Sequence, residues 1–249
     1  MNNKEVTDKI YLGDCQELLP HILEKTDIKK VVMVSDPPFN INYHYNSYKD
    51  NLDEEEYFEV LQDIFQDYKC VLIHYPEMLY KFSFQIGKFP EKVVSWVYNS
   101  NTPKQHRDVA FFGIEPDFSL VKQPYKNVND KRILERIKKG SGGADLYDWW
   151  YVQQVKNVSQ EKTKHPCQMP LKVMKNIIGV LPKDSIIVDP FCGSGTTLLA
   201  VVEMNEEQKA KRKYIGIELD EEYYKIAIDR LNGINANGQT SIFTNFEDL

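Results

Sequence analysis

Four short apolar runs punctuate the chain, and each stops abruptly. Val31-Val32-Met33-Val34-Ser35 ends at Asp36-Pro37-Pro38, and Val71-Leu72-Ile73-His74 ends just before Pro76. Ser185-Ile186-Ile187-Val188-Asp189 gives way to Pro190 and a glycine turn, and Tyr214-Ile215-Gly216-Ile217-Glu218 to an acidic stretch. Unbroken β-branched runs of this length predict strands buried on both faces. Helical spacing follows the last two runs. A helix is predicted from Thr196 to Met204, and another from Tyr223 to Leu231, with Tyr224, Ala227, Ile228 and Leu231 on one face. Strands alternating with helices predict an α/β fold, a Rossmann-like and mostly parallel sheet with helices on both faces.

The middle of the chain breaks this rhythm. Between Tyr98 and His165 lie Pro103, Pro116, Pro124 and the pair Gly142-Gly143, and only Lys131 to Lys139 has clear helical spacing. A long stretch without period is usually functional. The expected organisation is therefore one domain in two halves, 1–97 and 165–249, with an insertion at 98–164.

Composition narrows the class. At 42% hydrophobic and 27% charged residues the chain is an ordinary globular one, and wholesale disorder is excluded. No apolar run approaches the ~18 residues that span a bilayer, and Met1 to Glu5 do not read as a signal peptide. Cys15, Cys70, Cys167 and Cys192 are scattered, with no Cys-x-x-Cys, so neither a disulfide framework nor a metal site is expected and a reducing cytoplasm is the natural compartment. The net charge of −6 conceals an asymmetry: residues 98–165 carry 12 Lys and Arg against 8 Asp and Glu, while the rest carries 19 against 29. An acidic chassis with one basic segment can still meet a polyanion on one face.

Two turns could carry chemistry. Asp189-Pro190-Phe191-Cys192-Gly193-Ser194-Gly195-Thr196-Thr197 joins a strand to a helix, the place where parallel sheets bind ligands. A phosphate-binding P-loop would need a lysine beside the Ser/Thr, and a dinucleotide fingerprint a third glycine where Leu198 stands. Glu218 ends the next strand, 29 positions after Asp189, where an acid can accept hydrogen bonds from ribose hydroxyls or simply be a solvated strand end. In Asp36-Pro37-Pro38-Phe39-Asn40 the prolines stop a strand. They also remove backbone donors, leaving carbonyls and a carboxylate as an acceptor array suited to an exocyclic amino group, with Phe39 as a face on which a base stacks for ~1–3 kcal/mol.

Together, Asp-Pro-Pro-Phe and Asp-Pro-Phe-x-Gly-Ser-Gly-Thr-Thr resemble the S-adenosylmethionine-dependent DNA amino-methyltransferases that make N6-methyladenine or N4-methylcytosine. The catalytic motif precedes the cofactor motif, which resembles the permuted β class of that family. Tyr11-Leu12-Gly13-Asp14-Cys15 is similar to the segment that places an acid near the cofactor's adenine, although Asp14 could equally cap a helix from Gln16 to Leu23. Lys164-His165-Pro166-Cys167-Gln168-Met169-Pro170 resembles the stretch His-Pro-x-Gln-Lys-Pro beside the methionine moiety, with Met169 in place of the lysine. Gly216-Ile217-Glu218-Leu219-Asp220 resembles the ribose-binding segment. Pro166-Cys167-Gln168 also mimics the nucleophile tripeptide of cytosine-C5 methyltransferases, but here it lies 22 positions before Asp189, inside a different motif.

The resemblance implies S-adenosylmethionine as cofactor, no metal, and double-stranded DNA as substrate. A homodimer and a cognate restriction endonuclease are left open. It assigns catalysis to Asp36, Pro37, Pro38 and Phe39, and cofactor binding to Asp14, His165, Gln168, Asp189, Phe191, Gly193, Ser194, Gly195, Thr196, Glu218 and Leu219. Asp36 favours adenine N6 over cytosine N4, where serine is commoner. The implied reaction flips the target base out of the duplex, and its amino nitrogen then attacks the methyl group in line. Lys104, His106, Arg107, Lys122, Lys126 and the basic residues from Lys131 to Lys139 could contact phosphates, with Trp96, Trp149, Trp150 and Tyr151 among them. The loop from Asn42 to Asp53 could fold over the flipped base. An RNA or protein methyltransferase, or a catalytically dead DNA-binding module, are the other readings.

Overall fold

The computed structural model describes residues 6–233. The signal-peptide reading of residues 1–5 and the last part of the 165–249 half fall outside that range. In chain order the elements are β1 (Lys9–Leu12), α1 (Cys15–Leu23), β2 (Val31–Ser35), α2 (Glu54–Phe65), β3 (Cys70–His74), α3 (Pro76–Ile86), β4 (Lys92–Val97) and β5 (His106–Phe112). Then come β6 (Lys122–Gln123), α4 (Lys131–Lys138), β7 (Ala144–Asp145), β8 (Trp149–Tyr151), α5 (Leu171–Gly179), β9 (Ile186–Asp189), α6 (Thr196–Gln208), β10 (Lys213–Glu218) and α7 (Glu221–Leu231).

Eight strands form one sheet in the order β1-β10-β9-β2-β3-β5-β4-β8. Every neighbouring pair is parallel except β3–β5 and β5–β4, so the predicted mostly parallel α/β sheet is present with one antiparallel strand. β2, β3 and β9 are buried along their whole length, which explains their unbroken apolar sequences. Alternate side chains sort to opposite faces. Val32, Val34, Val71, Ile73 and Ile187 pack with α5, α6 and α7, whereas Val31, Met33, Leu72, Val188, Ile215 and Ile217 pack with α1, α2 and α3.

The 98–164 stretch is not wholly separate from this scaffold. β5 and β8 belong to the large sheet, while β6 and β7 form their own two-stranded ribbon and α4 buries none of its residues. Of the aromatic residues expected among the phosphate contacts, Trp96 and Trp150 are instead core residues, whereas Trp149 and Tyr151 are exposed.

Chain direction creates the crevice. β9 continues through α6 to β10 on one side, and β2 continues through α2 to β3 on the other. Where neighbouring parallel strands send their connections apart, a cleft opens at their carboxyl ends. Met33 pairs with Val188, so the turns after β2 and β9 emerge side by side.

Candidate active site

A cleft runs between those two turns. Asp14, Asp36, Pro37, Pro38, Phe39, His165, Gln168, Asp189, Phe191, Gly193, Ser194, Thr196, Glu218 and Leu219 all line it. Of the sequence-predicted site residues only Gly195 does not; it sits directly behind the wall as the N-cap of α6.

On the β9 side, Asp189 is an anchor. Its Oδ1 accepts from the Ser35 hydroxyl at 2.9 Å and the Phe191 amide at 3.1 Å, and its Oδ2 accepts from Thr197. Burial pushes its carboxyl up to about 6 despite these donors. Gly193 follows with φ +51°, and a Cβ there would lie 3.0 Å from His165 Nε2, so only glycine fits without displacing the imidazole. The Gly193 amide donates to Glu218 Oε2 at 2.8 Å, and the Asp220 amide to Glu218 Oε1 at 2.8 Å. Each oxygen keeps a second lone pair free for a ligand hydroxyl. From α7, Arg230 donates to the Ser194 carbonyl and hydroxyl and to Thr196, tying down the outer side of the turn.

Three further residues frame this side. Asp14 does cap α1, accepting from the Gln16 amide at 2.8 Å, and it still faces the cleft because Leu12 pairs with Glu218 across β1 and β10. His165 is buried edge-on against Tyr223, with ring centroids 4.4 Å apart and Nδ1 unpartnered. Burial, helped by Lys162 and Arg230, lowers its pKa to about 4, so the imidazole is neutral. Gln168 spends its amide on its own loop, accepting from the Thr163 amide at 2.8 Å and donating to the Glu161 carbonyl at 2.6 Å. It shapes the wall rather than reaching into the space.

On the β2 side the polar groups are less satisfied. Asp36 is partly exposed, but its Oδ1 is enclosed and has no partner, and its Oδ2 lies 3.5 Å from Arg107 Nη1. Burial raises its pKa to about 6, with Arg107 opposing the rise and Asp189 adding to it. The turn behind it is clamped. Tyr57 from α2 donates to the Pro38 carbonyl at 2.8 Å and lies 2.9 Å from His74 Nε2. Because His74 Nδ1 accepts from the Tyr75 amide, Nε2 carries the proton and donates to Tyr57. Burial lowers the His74 pKa to about 3, so this relay stays neutral. Phe39 is only 7% exposed. Its ring stacks on His74 at 4.0 Å, and the Arg107 guanidinium carbon lies 4.5 Å above it, so a base could use that face only as the guanidinium yields it.

The loop after Phe39 reaches across the cleft. Asp50 accepts from the amides of Asn40, Ile41 and Tyr43 at 2.8, 3.1 and 2.9 Å, which fixes a turn containing Asn40 and Asn42 at positive φ. Ser47 then donates to Asp220 at 2.6 Å, joining the loop to the start of α7. Tyr43, Tyr45 and Tyr48 line the opening. Cys167 is exposed beside Tyr43 and Tyr45, and partial desolvation of its thiol raises the pKa, which leaves it protonated and a poor nucleophile.

Sequence reading misses Tyr57, His74, Asp50 and Arg107 as site residues. Arg107 falls among the expected phosphate contacts, but it is largely enclosed and turned toward Asp36. The exposed basic surface lies elsewhere: Lys126 stands over the Trp149 ring at 4.3 Å and the Tyr147 ring at 4.8 Å, and α4 presents Lys131, Arg136 and Lys138 to solvent. Among the described residues no cluster of His, Cys, Asp and Glu could hold a metal, and no helix is long and apolar enough to cross a membrane.

A glycine turn at a switch point, an acid ending the next strand and a buried acceptor turn alongside define an α/β enzyme that binds a nucleoside-containing cofactor. The DNA methylase family model N6_N4_Mtase matches residues 31–229, so the chain belongs to that family, and the resemblance drawn from its motifs holds. The chain is 27% identical over 266 aligned positions to the type II methyltransferase M.BglII of Bacillus subtilis, covering 92% of this chain and 70% of that protein. It is 28% identical over 244 positions to the DNA adenine methyltransferase YhdJ of Escherichia coli, covering 84% and 79%. In fold it is similar to M1.HpyAVI solved with its cofactor SAM, at a TM-score of 0.55 and 22% identity over 90% of this chain and 99% of that one. TTHA0409 of Thermus thermophilus, solved with S-adenosyl-L-methionine, gives 0.56 and 14% over 90% and 93%.

Proposed function

We propose that this chain transfers a methyl group from S-adenosylmethionine to the N6 amino group of adenine in duplex DNA, by base flipping and direct in-line attack of that nitrogen. The observation that carries this reading is the buried, unpartnered Oδ1 of Asp36, at the switch point in the same cleft as Phe39 and the glycine turn. An orphaned buried acceptor costs about 1–3 kcal/mol, a cost a fold retains where a ligand donor arrives to meet it.

The residues present fit the cofactor. Gly193 lets the turn pack directly against the His165 ring, Glu218 has lone pairs to spare for ribose hydroxyls, and His165 closes the methionine end as a neutral ring. The acids Asp36, Asp189 and Glu218 suit a cationic sulfonium better than a phosphate. The bound cofactor supplies an electrophilic methyl carbon. This chain's own residues handle the nucleophile: Asp36 Oδ1 and the Pro37 carbonyl accept the two amino hydrogens, drawing nitrogen toward a tetrahedral geometry. They also stabilise the positive charge that develops there, and Asp36 takes up the proton that nitrogen sheds. Holding both reactants in one cleft supplies much of the rate by proximity.

Extruding the base costs a few kcal/mol. The Asn42–Asp53 loop, pinned at Asp50 and Ser47, would close over it, and Phe39 would provide the aromatic wall. In this reading 1–97 is the catalytic half, 165–249 the cofactor half, and 98–164 the target-recognition region, with the Lys126–Trp149 surface and α4 gripping DNA. The motif order supports the permuted β class. Asp36 in place of serine, and the likeness to YhdJ, favour adenine.

Incubating the protein with duplex DNA and S-adenosylmethionine, then digesting to nucleosides, tests the reading. N6-methyladenine is expected. N4-methylcytosine would move the target to the other amino base, and methylation of RNA or protein but not DNA would overturn the assignment.

A further inference from the structure

The stretch from His165 to Pro170 departs from its family resemblance at one place, Met169, where the family pattern carries lysine. The structure shows what stands in that corner. Arg107, reaching in from β5, brings Nη1 to 3.8 Å from the Met169 sulfur and 3.5 Å from Asp36 Oδ2. Its guanidinium carbon lies 4.5 Å from the Phe39 ring centre, 5.4 Å from Trp96 and 5.9 Å from Tyr75. The cation is thus boxed by three aromatic rings and a thioether, contacts that favour a weakly hydrated planar cation over an ammonium. Burial works against its charge, and Asp36, Tyr98 and Tyr75 more than offset that, so it stays a cation.

A lysine at 169 would place a second positive charge beside the guanidinium in a site with one nearby carboxylate to share. We propose that Arg107 is the positioning residue of this active site, holding Asp36 as a carboxylate through Oδ2 alone while leaving Oδ1 free for the base, and that it replaces from β5 the cation that residue 169 does not supply. This rests on the role given above to Asp36. The single long contact matters: a bidentate pair would engage both oxygens, whereas here Oδ1 keeps its whole acceptor capacity for an incoming donor.

Asp36 is faced by Arg107 from β5, Asp189 from β9, Cys167 from the 165–170 stretch, Tyr45 from the cleft loop, Tyr57 from α2 and Tyr98 after β4. The cysteine and the tyrosines are all shifted upward, and Asp189 is common to every variant below, so the acid limb reports the Arg107–Asp36 pair.

The test is the pH profile of kcat/KM for duplex DNA from pH ~5 to ~9. It compares wild type, Arg107→Met, Arg107→Lys and the double variant Arg107→Met/Met169→Lys, with Asp36→Ala as control. Arg107→Met should move the acid limb upward by about 1–3 pH units, so that its loss at pH 7 is about two- to a hundredfold and shrinks as pH rises. Arg107→Lys and the double variant should bring the limb back toward wild type. A loss in Arg107→Met that is uniform across pH, or a double variant no better than the single, would overturn the proposal. If Arg107→Met does not fold, Met169→Lys alone decides: two crowded cations should lower the melting temperature, and an unchanged melt would count against that replacement. Normal methylation by Asp36→Ala would remove the underlying reading. A dead Asp36→Ala with an unmoved Arg107→Met limb would remove only the inference about Arg107.

Discussion

Asp36 and Asp189 follow from one template and differ in what surrounds them. Asp189 ends β9 and Asp36 immediately follows β2, its parallel neighbour; Asp189 is buried and Asp36 nearly so, and desolvation raises both pKa values to about 6. Asp189 has every oxygen met by a protein donor, from Ser35, Phe191 and Thr197. Asp36 has one oxygen at long range from Arg107 and the other unmet. The first arrangement holds a turn in shape. The second stores an unmet acceptor in a cleft, which is of use only when a donor enters. The two carboxylates therefore divide the work: one builds the cofactor turn, the other stays available for chemistry.

The comparison can be broken first at Asp189. Asp189→Ala would strand two hydroxyls and an amide inside the fold, at about 1–3 kcal/mol for each group left unmet. A fall of several kcal/mol in unfolding free energy is expected by denaturant titration, with cofactor affinity falling alongside; a stability within error of wild type would show that the network is incidental. Next comes the turn it anchors. Gly193→Val forces a side chain into φ +51° and against His165, a strain of order 1–3 kcal/mol that calorimetry should register as a loss of about ten- to a hundredfold in S-adenosylmethionine affinity. Unchanged affinity would place the cofactor elsewhere.

Proton linkage sharpens the contrast further. If Asp36 must be ionised, kcat/KM should fall below pH 6 and stand about tenfold under its plateau one unit lower. For Asp189 the readout is stability. Its folded pKa lies above the ~3.9 of an unfolded aspartate, so its contribution is greatest below that value and is lost as pH rises through about 6. The melting temperature of wild type relative to Asp189→Asn should accordingly increase as pH drops from 7 toward 4. A flat difference would mean Asp189 titrates normally. The smallest effect belongs to Tyr57→Phe, which releases the Pro38 carbonyl while leaving Asp36 in place. A neutral hydrogen bond is worth about 1 kcal/mol, so kcat should drop roughly fivefold with little change in cofactor binding; a complete loss would give Tyr57 a larger part than a clamp.

Much of this scaffold is legible in the sequence, and for physical reasons. β2, β9 and β10 are buried strands whose apolar runs stop at proline, glycine or acid, so their extent and their functional ends coincide. Asp36 and the glycine turn can be matched because each is a local motif whose spacing the backbone enforces. What stays hidden depends on contacts between distant positions. Ser35 meets Asp189 across 154 residues, and Arg107 meets Asp36 across 71. In a basic segment Arg107 looks like one more surface charge, and nothing local marks it as largely enclosed. Its motif predicts that Gln168 faces the cofactor, whereas its amide is consumed by its own loop. α2 is visible in principle, since Tyr57, Phe58, Leu61 and Ile64 have helical spacing, but the acidic opening Glu54-Glu55-Glu56 resembles a solvated linker.

The most direct measurement is single-turnover transfer of a labelled methyl group from S-adenosylmethionine to duplex DNA by Asp36→Asn, which preserves the shape of the turn and removes the charge. The expected result is transfer slowed by about 10²–10⁴-fold with the cofactor still bound at near wild-type affinity. Transfer at close to the wild-type rate would contradict the claim that the free oxygen of Asp36 receives the amino group of the flipped base.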